Sequence, residues 1–229
     1  MRARAVLFDK DGVLLDFQRT WAPWLGEMIA TLADGDHALN AALADVWGYD
    51  AHSVAVLAQS PVIAGSLDDI ASAVLHLLPE IDHAGLVASL KQHSANVPGV
   101  EVLPLAPLLA RLSGSGLCLG IATNDVEMIA RRQMQGLGIV EHFDFIAGFD
   151  SGFAAKPAPD ICLAFADRLD LTPGEIVMVG DSLHDMHAGR AAGMQTVAVL
   201  SGIAGAHDLA PFADVVLADI SHLPDWLAA

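Results

Sequence analysis

Six short apolar runs, each closed by polar or glycine residues, constrain this chain more than any other feature. They are Ala5–Phe8, Leu117–Ala122, Phe143–Ala147, Ile176–Val179, Thr196–Leu200 and Val215–Leu217. Near-continuous runs of this kind suit parallel strands covered on both faces, whereas a sheet with one wet face would alternate apolar and polar residues. From residue 100 onward, helical patterns separate the runs. Leu105, Leu108, Leu109 and Leu112 follow helical spacing, and Gly114 and Gly116 stop that helix before the next strand. Strand and helix in alternation predict an α/β fold: a Rossmann-like open parallel sheet with right-handed crossovers.

Residues 16–96 break this rhythm. Trp21, Trp24, Leu25, Met28, Ile29 and Leu32 repeat as one face of a helix, and Leu39, Ala42, Leu43, Val46 and Trp47 do so again. Ser66 with Asp69 forms a capping-box start for a helix over Ile70–Leu78, and Asp82 caps another running through Leu90. Four helical patterns without a convincing strand predict an all-α insert, closed by the turn-forming stretch Asn96-Val97-Pro98-Gly99. The expected division is a core of residues 1–15 and 97–229 around a helical domain of residues 16–96.

Composition narrows the function. Hydrophobic residues make up 54%, enough for a sizeable core, and 28 acidic residues against 11 Lys and Arg give a formal charge of −17. Such a field repels phosphate backbones and anionic lipid, so neither nucleic acid nor membrane is an expected partner. A small anionic substrate is compatible if a divalent cation and a few local positive groups accompany it. Cys118 and Cys162 stand far apart in apolar surroundings and read as reduced, buried thiols. Charge interrupts the first apolar run after Phe8, against a signal peptide, and no apolar run suffices to span a bilayer. A cytoplasmic protein, monomeric or homodimeric, is the expectation.

Open α/β sheets bind ligands outside the carboxyl ends of their strands. Those ends carry Asp9-Lys10-Asp11-Gly12, Thr123-Asn124-Asp125, Lys156 in AAKPAPD, and Gly180-Asp181-Ser182 with Asp185. Carboxylates gathered there would raise one another's pKa unless a cation neutralised them, and hard oxygen ligands suit Mg²⁺. Each cluster alone has an ordinary explanation, such as a solvated turn for Asp9 and Asp11 or a helix cap for Thr123 and Asn124. All four in order at strand ends point to one site.

With these residues in place, the chain resembles the haloacid dehalogenase-like superfamily of phosphohydrolases. The DxDG motif is matched by Asp9-Lys10-Asp11-Gly12, the Ser/Thr motif by Thr123 with Asn124, the lysine motif by Lys156-Pro157, and GDxxxD by Gly180-Asp181 and Asp185. The insert after the first motif resembles a C1-type helical cap of the phosphoglycolate phosphatase-like kind. The resemblance implies a Mg²⁺-dependent phosphatase acting on a small phosphomonoester through an aspartyl-phosphate. Asp9 would be the nucleophile and Asp11 the acid/base. Mg²⁺ would be held by Asp9, the Asp11 carbonyl and Asp181, with Asp185 either a further ligand or a support acting through water. Thr123, the Asn124 backbone N–H and Lys156 would hold the phosphoryl oxygens. Arg19 and Trp21 lie near enough in sequence to the hinge to reach substrate, with Arg19 meeting a carboxylate.

Asp11 separates chemistries within the superfamily, since dehalogenases lack an acid there. Phosphonate hydrolysis needs a cap lysine, and the only lysine in residues 16–96 is Lys91, near the end of the insert. A sugar-phosphate mutase of the β-phosphoglucomutase type is the alternative, but Trp21 occupies the place where such mutases carry a histidine. Asp125 stands where relatives often have lysine, and Val13 replaces a frequent threonine. Lys10, between the two aspartates, carries no role by this resemblance.

Overall fold

The computed structural model describes residues 3–63 and 65–229. The chain divides into two compact units, one running up to Asp16 and resuming over Gly99–Ala229, the other spanning Phe17–Pro98.

In chain order, the first unit holds β1 (Ala5–Phe8). The second holds α1 (Phe17–Ala33), α2 (His37–Val46), β2 (Tyr49–Asp50), β3 (Ala55–Val56), α3 (Leu67–Val74) and α4 (His83–Ser94). The first unit then continues with α5 (Leu105–Gly114), β4 (Cys118–Ala122), α6 (Glu127–Gly136), β5 (Phe145–Ala147), α7 (Asp160–Leu169) and β6 (Ile176–Gly180). It ends with α8 (Leu183–Ala192), β7 (Gln195–Val199), α9 (Ala206–Leu209), β8 (Val215–Leu217) and α10 (Leu223–Ala228).

The six predicted runs are the six strands of one parallel sheet, in the order β5-β4-β1-β6-β7-β8. Their bounds differ by a few residues where local bonding intervenes. Asp144 leaves β5 because its carboxylate accepts from the Leu119 N–H, and Gly116 turns at φ +88° just before β4. Every residue of β1 is buried, as expected of a central strand covered on both faces. Val6 and Phe8 join α5, α6 and α10 on one face, through Leu105, Leu109, Met134 and Leu223. Ala5 and Leu7 join α7 and α8 on the other, through Cys162, Phe165 and Ala188. At Gly120 a Cβ would run into the Phe165 ring, so the glycine in β4 makes room for the largest side chain of that second layer.

The strand order places β1 at the switch point. The chain leaves β1 for β4 on one side, and β6 returns to its other side. A crevice outside the carboxyl ends of β1 and β6 follows from that reversal.

The Phe17–Pro98 unit is helical, with one departure from expectation. A two-residue antiparallel ribbon pairs Tyr49 with Val56 and Asp50 with Ala55. Both strands are too short to display a period of two, which hides them from the sequence. The capping box at Ser66 and Asp69 and the Asp82 cap both form, with Ser66 Oγ accepting from the Asp69 N–H and Asp82 Oδ1 from the Gly85 N–H. Trp47 is fully buried and its indole N–H donates to the Ile70 carbonyl at 2.9 Å, tying the end of α2 to α3. Both cysteines are free thiols; Cys162 is buried, but Cys118 is only half-buried because it opens the strand. Among the described residues no helix is long and apolar enough to cross a membrane.

Candidate active site

Four loops meet at the carboxyl edge of the sheet. The first leaves β1, whose ladder runs one residue further: the Asp9 N–H donates to the Val179 carbonyl at 2.8 Å. The chain then folds on itself, with the Leu14 and Leu15 N–H groups on the Lys10 carbonyl and the Gly12 N–H on the Leu15 carbonyl. Gly12 takes φ +78°, and a Cβ there would collide with the Asp181 carboxylate. Glycine is therefore required at this position twice over, for the turn and for the approach.

The loop after β4 carries Thr123, buried, whose hydroxyl accepts from the Asp125 N–H at 3.1 Å. Asn124 clamps the third loop reciprocally. Its Nδ2 donates to the Lys156 carbonyl and its Oδ1 accepts from the Lys156 N–H, both at 2.9 Å. Lys156 thereby reaches inward, with Nζ 2.8 Å from Asp9 Oδ1 and 2.6 Å from Asp185 Oδ1. Asp185 also caps α8, its Oδ2 accepting from the Ser182 N–H and hydroxyl.

Asp9, Asp181 and Asp185 offer oxygens within 4.8 Å of one another, all three residues buried. Burial, only partly offset by Lys156 and reinforced by Asp185 and Asp11, pushes the Asp9 carboxyl up to about 7. Burial, with Asp185 and Asp9 beside it, likewise drives Asp181 well above the usual carboxylate range. Burial works against the charge of Lys156, but Asp185 and Asp9 outweigh it and raise its pKa.

These residues fit a divalent cation. The Asp181 carboxylate has no hydrogen-bond donor or ion-pair partner at contact distance among the described residues, although it is buried beside two other acids. Gly12 and Gly202 leave the space around it, since a Cβ at either would overlap its oxygens. Three carboxylates gathered this closely repel one another unless a cation lies among them, and an all-oxygen set suits Mg²⁺.

Two features were not legible beforehand. Ser201 and Gly202, after β7, complete the site: Ser201 Oγ donates to the Gly12 carbonyl at 2.7 Å while Gly202 flanks Asp181. No motif flagged them, although their place past a strand end was the available signal. Lys10, assigned no role above, is fully buried, with Nζ 2.9 Å from Asp11 Oδ2, 2.8 Å from Asp125 Oδ2 and 2.7 Å from Gln133 Oε1. Burial opposes its charge, but Asp11 and Asp125 prevail and raise its pKa. The signal in the sequence was the complementary departure at Asp125, an acid where relatives often carry a lysine.

Arg19 and Trp21 lie on α1, in the other unit. Arg19 is exposed, while Trp21 is buried and packs edge-to-face on Trp24 with centroids 5.5 Å apart.

A model of the haloacid dehalogenase-like hydrolase family matches residues 3–193. The chain is 36% identical over 207 residues to a phosphoglycolate phosphatase of Xanthomonas campestris pv. campestris (strain 8004), covering 87% of this chain and 84% of that protein. It is 30% identical over 230 residues to a phosphoglycolate phosphatase of Rhodospirillum rubrum, covering 98% and 90%. Among solved structures, CbbY from Rhodobacter sphaeroides in complex with phosphate superposes with a TM-score of 0.74 at 22% identity, covering 97% of this chain and 96% of that one. A predicted phosphoglycolate phosphatase from Haemophilus somnus gives 0.74 at 17% identity, covering 99% and 98%; both share the fold. The parallel sheet, its acidic cluster and the family match together define the class: this chain belongs to the haloacid dehalogenase-like hydrolases and is an enzyme of that kind. Within the family it is phosphoglycolate phosphatase-like, with its helical insert directly after β1.

Proposed function

We propose that this enzyme is a Mg²⁺-dependent phosphatase that hydrolyses a small phosphomonoester through an intermediate on Asp9. The observation that carries the reading is the meeting of Asp9 with Lys156 at 2.8 Å beside Asp181 and Asp185, while Asp11, two residues on, pairs with a different lysine. The two aspartates of one loop are thus placed in different surroundings, which suits two different roles.

In the first step a carboxylate oxygen of Asp9 attacks phosphorus, and the bond from phosphorus to the ester oxygen breaks. Asp11, protonated, gives its proton to the departing oxygen. In the second step Asp11 takes a proton from water as the water oxygen attacks phosphorus, breaking the Asp9–phosphorus bond and releasing phosphate. Lys156, the Thr123 hydroxyl and the Asn124 N–H bind the phosphoryl oxygens where charge builds. Asn124 has a second duty, since its side chain fixes the loop that presents Lys156. Asp9, Asp181 and the Asp11 carbonyl would hold Mg²⁺, with Asp185, already engaged by Lys156 and Ser182, supporting from behind. When bound, the ion supplies positive charge against the carboxylates and the phosphoryl oxygens.

For the substrate we infer a phosphoglycolate-like ester, in which a carboxylate sits close to the phosphate. The names of the full-length relatives support it, and Arg19, exposed on α1, is the residue we assign to that carboxylate. The Phe17–Pro98 unit would then be the cap domain, and the rest of the chain the core domain. A mutase reading lacks a proton shuttle at Trp21, which is packed in the helical core. The test is phosphate release from a panel of carboxylated, sugar and neutral phosphomonoesters, with Mg²⁺ or EDTA, for the wild type and Asp9→Asn. Release that needs Mg²⁺ and vanishes in Asp9→Asn is expected; activity that survives both changes overturns the mechanism. Equal turnover of carboxylated and neutral esters by wild type and Arg19→Ala removes the Arg19 assignment.

A further inference from the structure

Lys10 sits between the proposed nucleophile and the proposed acid/base, yet it points away from the cluster that Lys156 serves. An ammonium group has three N–H donors. Here three acceptors surround it: Asp11 Oδ2, Asp125 Oδ2 and Gln133 Oε1, at 2.9, 2.8 and 2.7 Å. The group is fully buried, so water does not compete for these bonds. Its two other anchors are firmly placed. Asp125 accepts from the Val126 N–H at 2.7 Å through Oδ1 and donates its own N–H to Thr123 Oγ1, while Gln133 is buried in the middle of α6.

We propose that Lys10 is a positioning residue for Asp11: held by Asp125 and Gln133, its ammonium takes one carboxylate oxygen of Asp11 and so fixes the orientation of the group and the oxygen that carries the transferable proton. A carboxylic acid whose Oδ2 accepts from an ammonium presents its proton on Oδ1. Lys10 thereby selects one of two oxygens and restrains rotation about Cβ–Cγ, which a solvated aspartate on a turn would lack. The same tripod links Asp11 to the Thr123 loop, so the acid and the phosphate-binding hydroxyl share one support. This inference rests on the phosphatase reading above, in which Asp11 protonates the leaving oxygen.

The alternative is a buried ion pair that merely staples the β1 loop to α6. The two differ in how loss of Lys10 depends on the leaving group. Lys10→Met alone would strand Asp125 as a buried charge, so the test uses Lys10→Met/Asp125→Asn, which removes both charges together. Its kcat/KM covers the steps up to departure of the alcohol, and is measured for an alkyl phosphate and for dinitrophenyl phosphate, whose leaving oxygen departs without a proton. The expected loss is on the order of 10²-fold or more for the alkyl ester and only a few-fold for the dinitrophenyl ester. Adding Asp11→Asn to this pair should cost nothing beyond Asp11→Asn alone, because Lys10 acts through Asp11. Equal losses for the two esters, or full additivity with Asp11→Asn, overturn the inference. If the double variant does not fold, Gln133→Met carries the test: it leaves both charges paired, and should give a smaller loss with the same leaving-group dependence. A wild-type enzyme that releases phosphate from neither ester overturns the phosphatase reading and this inference with it. A wild-type enzyme active on both, with a leaving-group-independent loss in the variant, overturns this inference alone.

Discussion

Replacing Asp9 with asparagine should stabilise the metal-free enzyme at alkaline pH while destroying its chemistry. The site gathers five carboxylates, Asp9, Asp11, Asp125, Asp181 and Asp185, around two ammonium groups, Lys10 and Lys156. Burial is the main reason the Asp9 carboxyl rises from 3.8 to about 7. Because this folded-state value is raised, the native protein keeps a proton that the unfolded chain has released, and stability falls as pH climbs from about 4 through about 7. At about 1.4 kcal/mol for each pH unit, Asp9 alone costs on the order of 4 kcal/mol once it is ionised. Asparagine cannot ionise and has the shape of the protonated acid, so it escapes this cost.

Urea denaturation followed by circular dichroism, at about pH 5 and about pH 8 in EDTA, measures the difference. The variant should lead the wild type by about 1.5–2 kcal/mol at the lower pH, where the unfolded Asp9 is already mostly ionised, and by about 4 kcal/mol at the higher one. Mg²⁺ at about a hundred times its dissociation constant should return about 2.7 kcal/mol to the wild type. The variant, with one ligand charge fewer, should respond much less. An Asp9→Asn protein less stable than wild type at the higher pH in EDTA, or a difference between the two that does not change with pH, would refute the reasoning.

Further outcomes follow from single contacts. Asn124→Ala deletes two hydrogen bonds to the Lys156 backbone and should cost about 1–3 kcal/mol of stability by denaturant titration, with phosphatase activity falling more steeply than stability. Gly202→Ala places a methyl group against the Asp181 carboxylate and should weaken Mg²⁺ binding by roughly 10- to 100-fold in a calorimetric titration, leaving far-ultraviolet dichroism intact. Gly120→Ala forces a methyl group into the Phe165 ring, far from the chemistry, and should cost about 1–3 kcal/mol by denaturation with kcat preserved.

The parts of this molecule that the sequence revealed are those governed by local pattern. Strands buried on both faces wrote themselves as apolar runs, and Asp9 and Asp181 of the candidate site stood directly after two of them. Caps at Ser66 and Asp82 were equally local. What stayed hidden depends on contacts distant along the chain. Lys10 read as an incidental charge on a turn because its partner, Asp125, lies 115 residues away. Gly202 could not be told from an ordinary loop glycine until Asp181 was found against it. The Tyr49–Val56 ribbon escaped for a different reason, being too short to show any periodicity.

The mechanism requires that Asp9 itself is phosphorylated. The direct measurement is to quench the enzyme in acid during turnover of a radiolabelled phosphomonoester, reduce the trapped acyl phosphate with borohydride and map the product by peptide mass spectrometry. Label on the wild-type protein and homoserine at position 9 are expected, with neither in Asp9→Asn. Turnover with no label on the protein, or label on a residue other than Asp9, would contradict the mechanism.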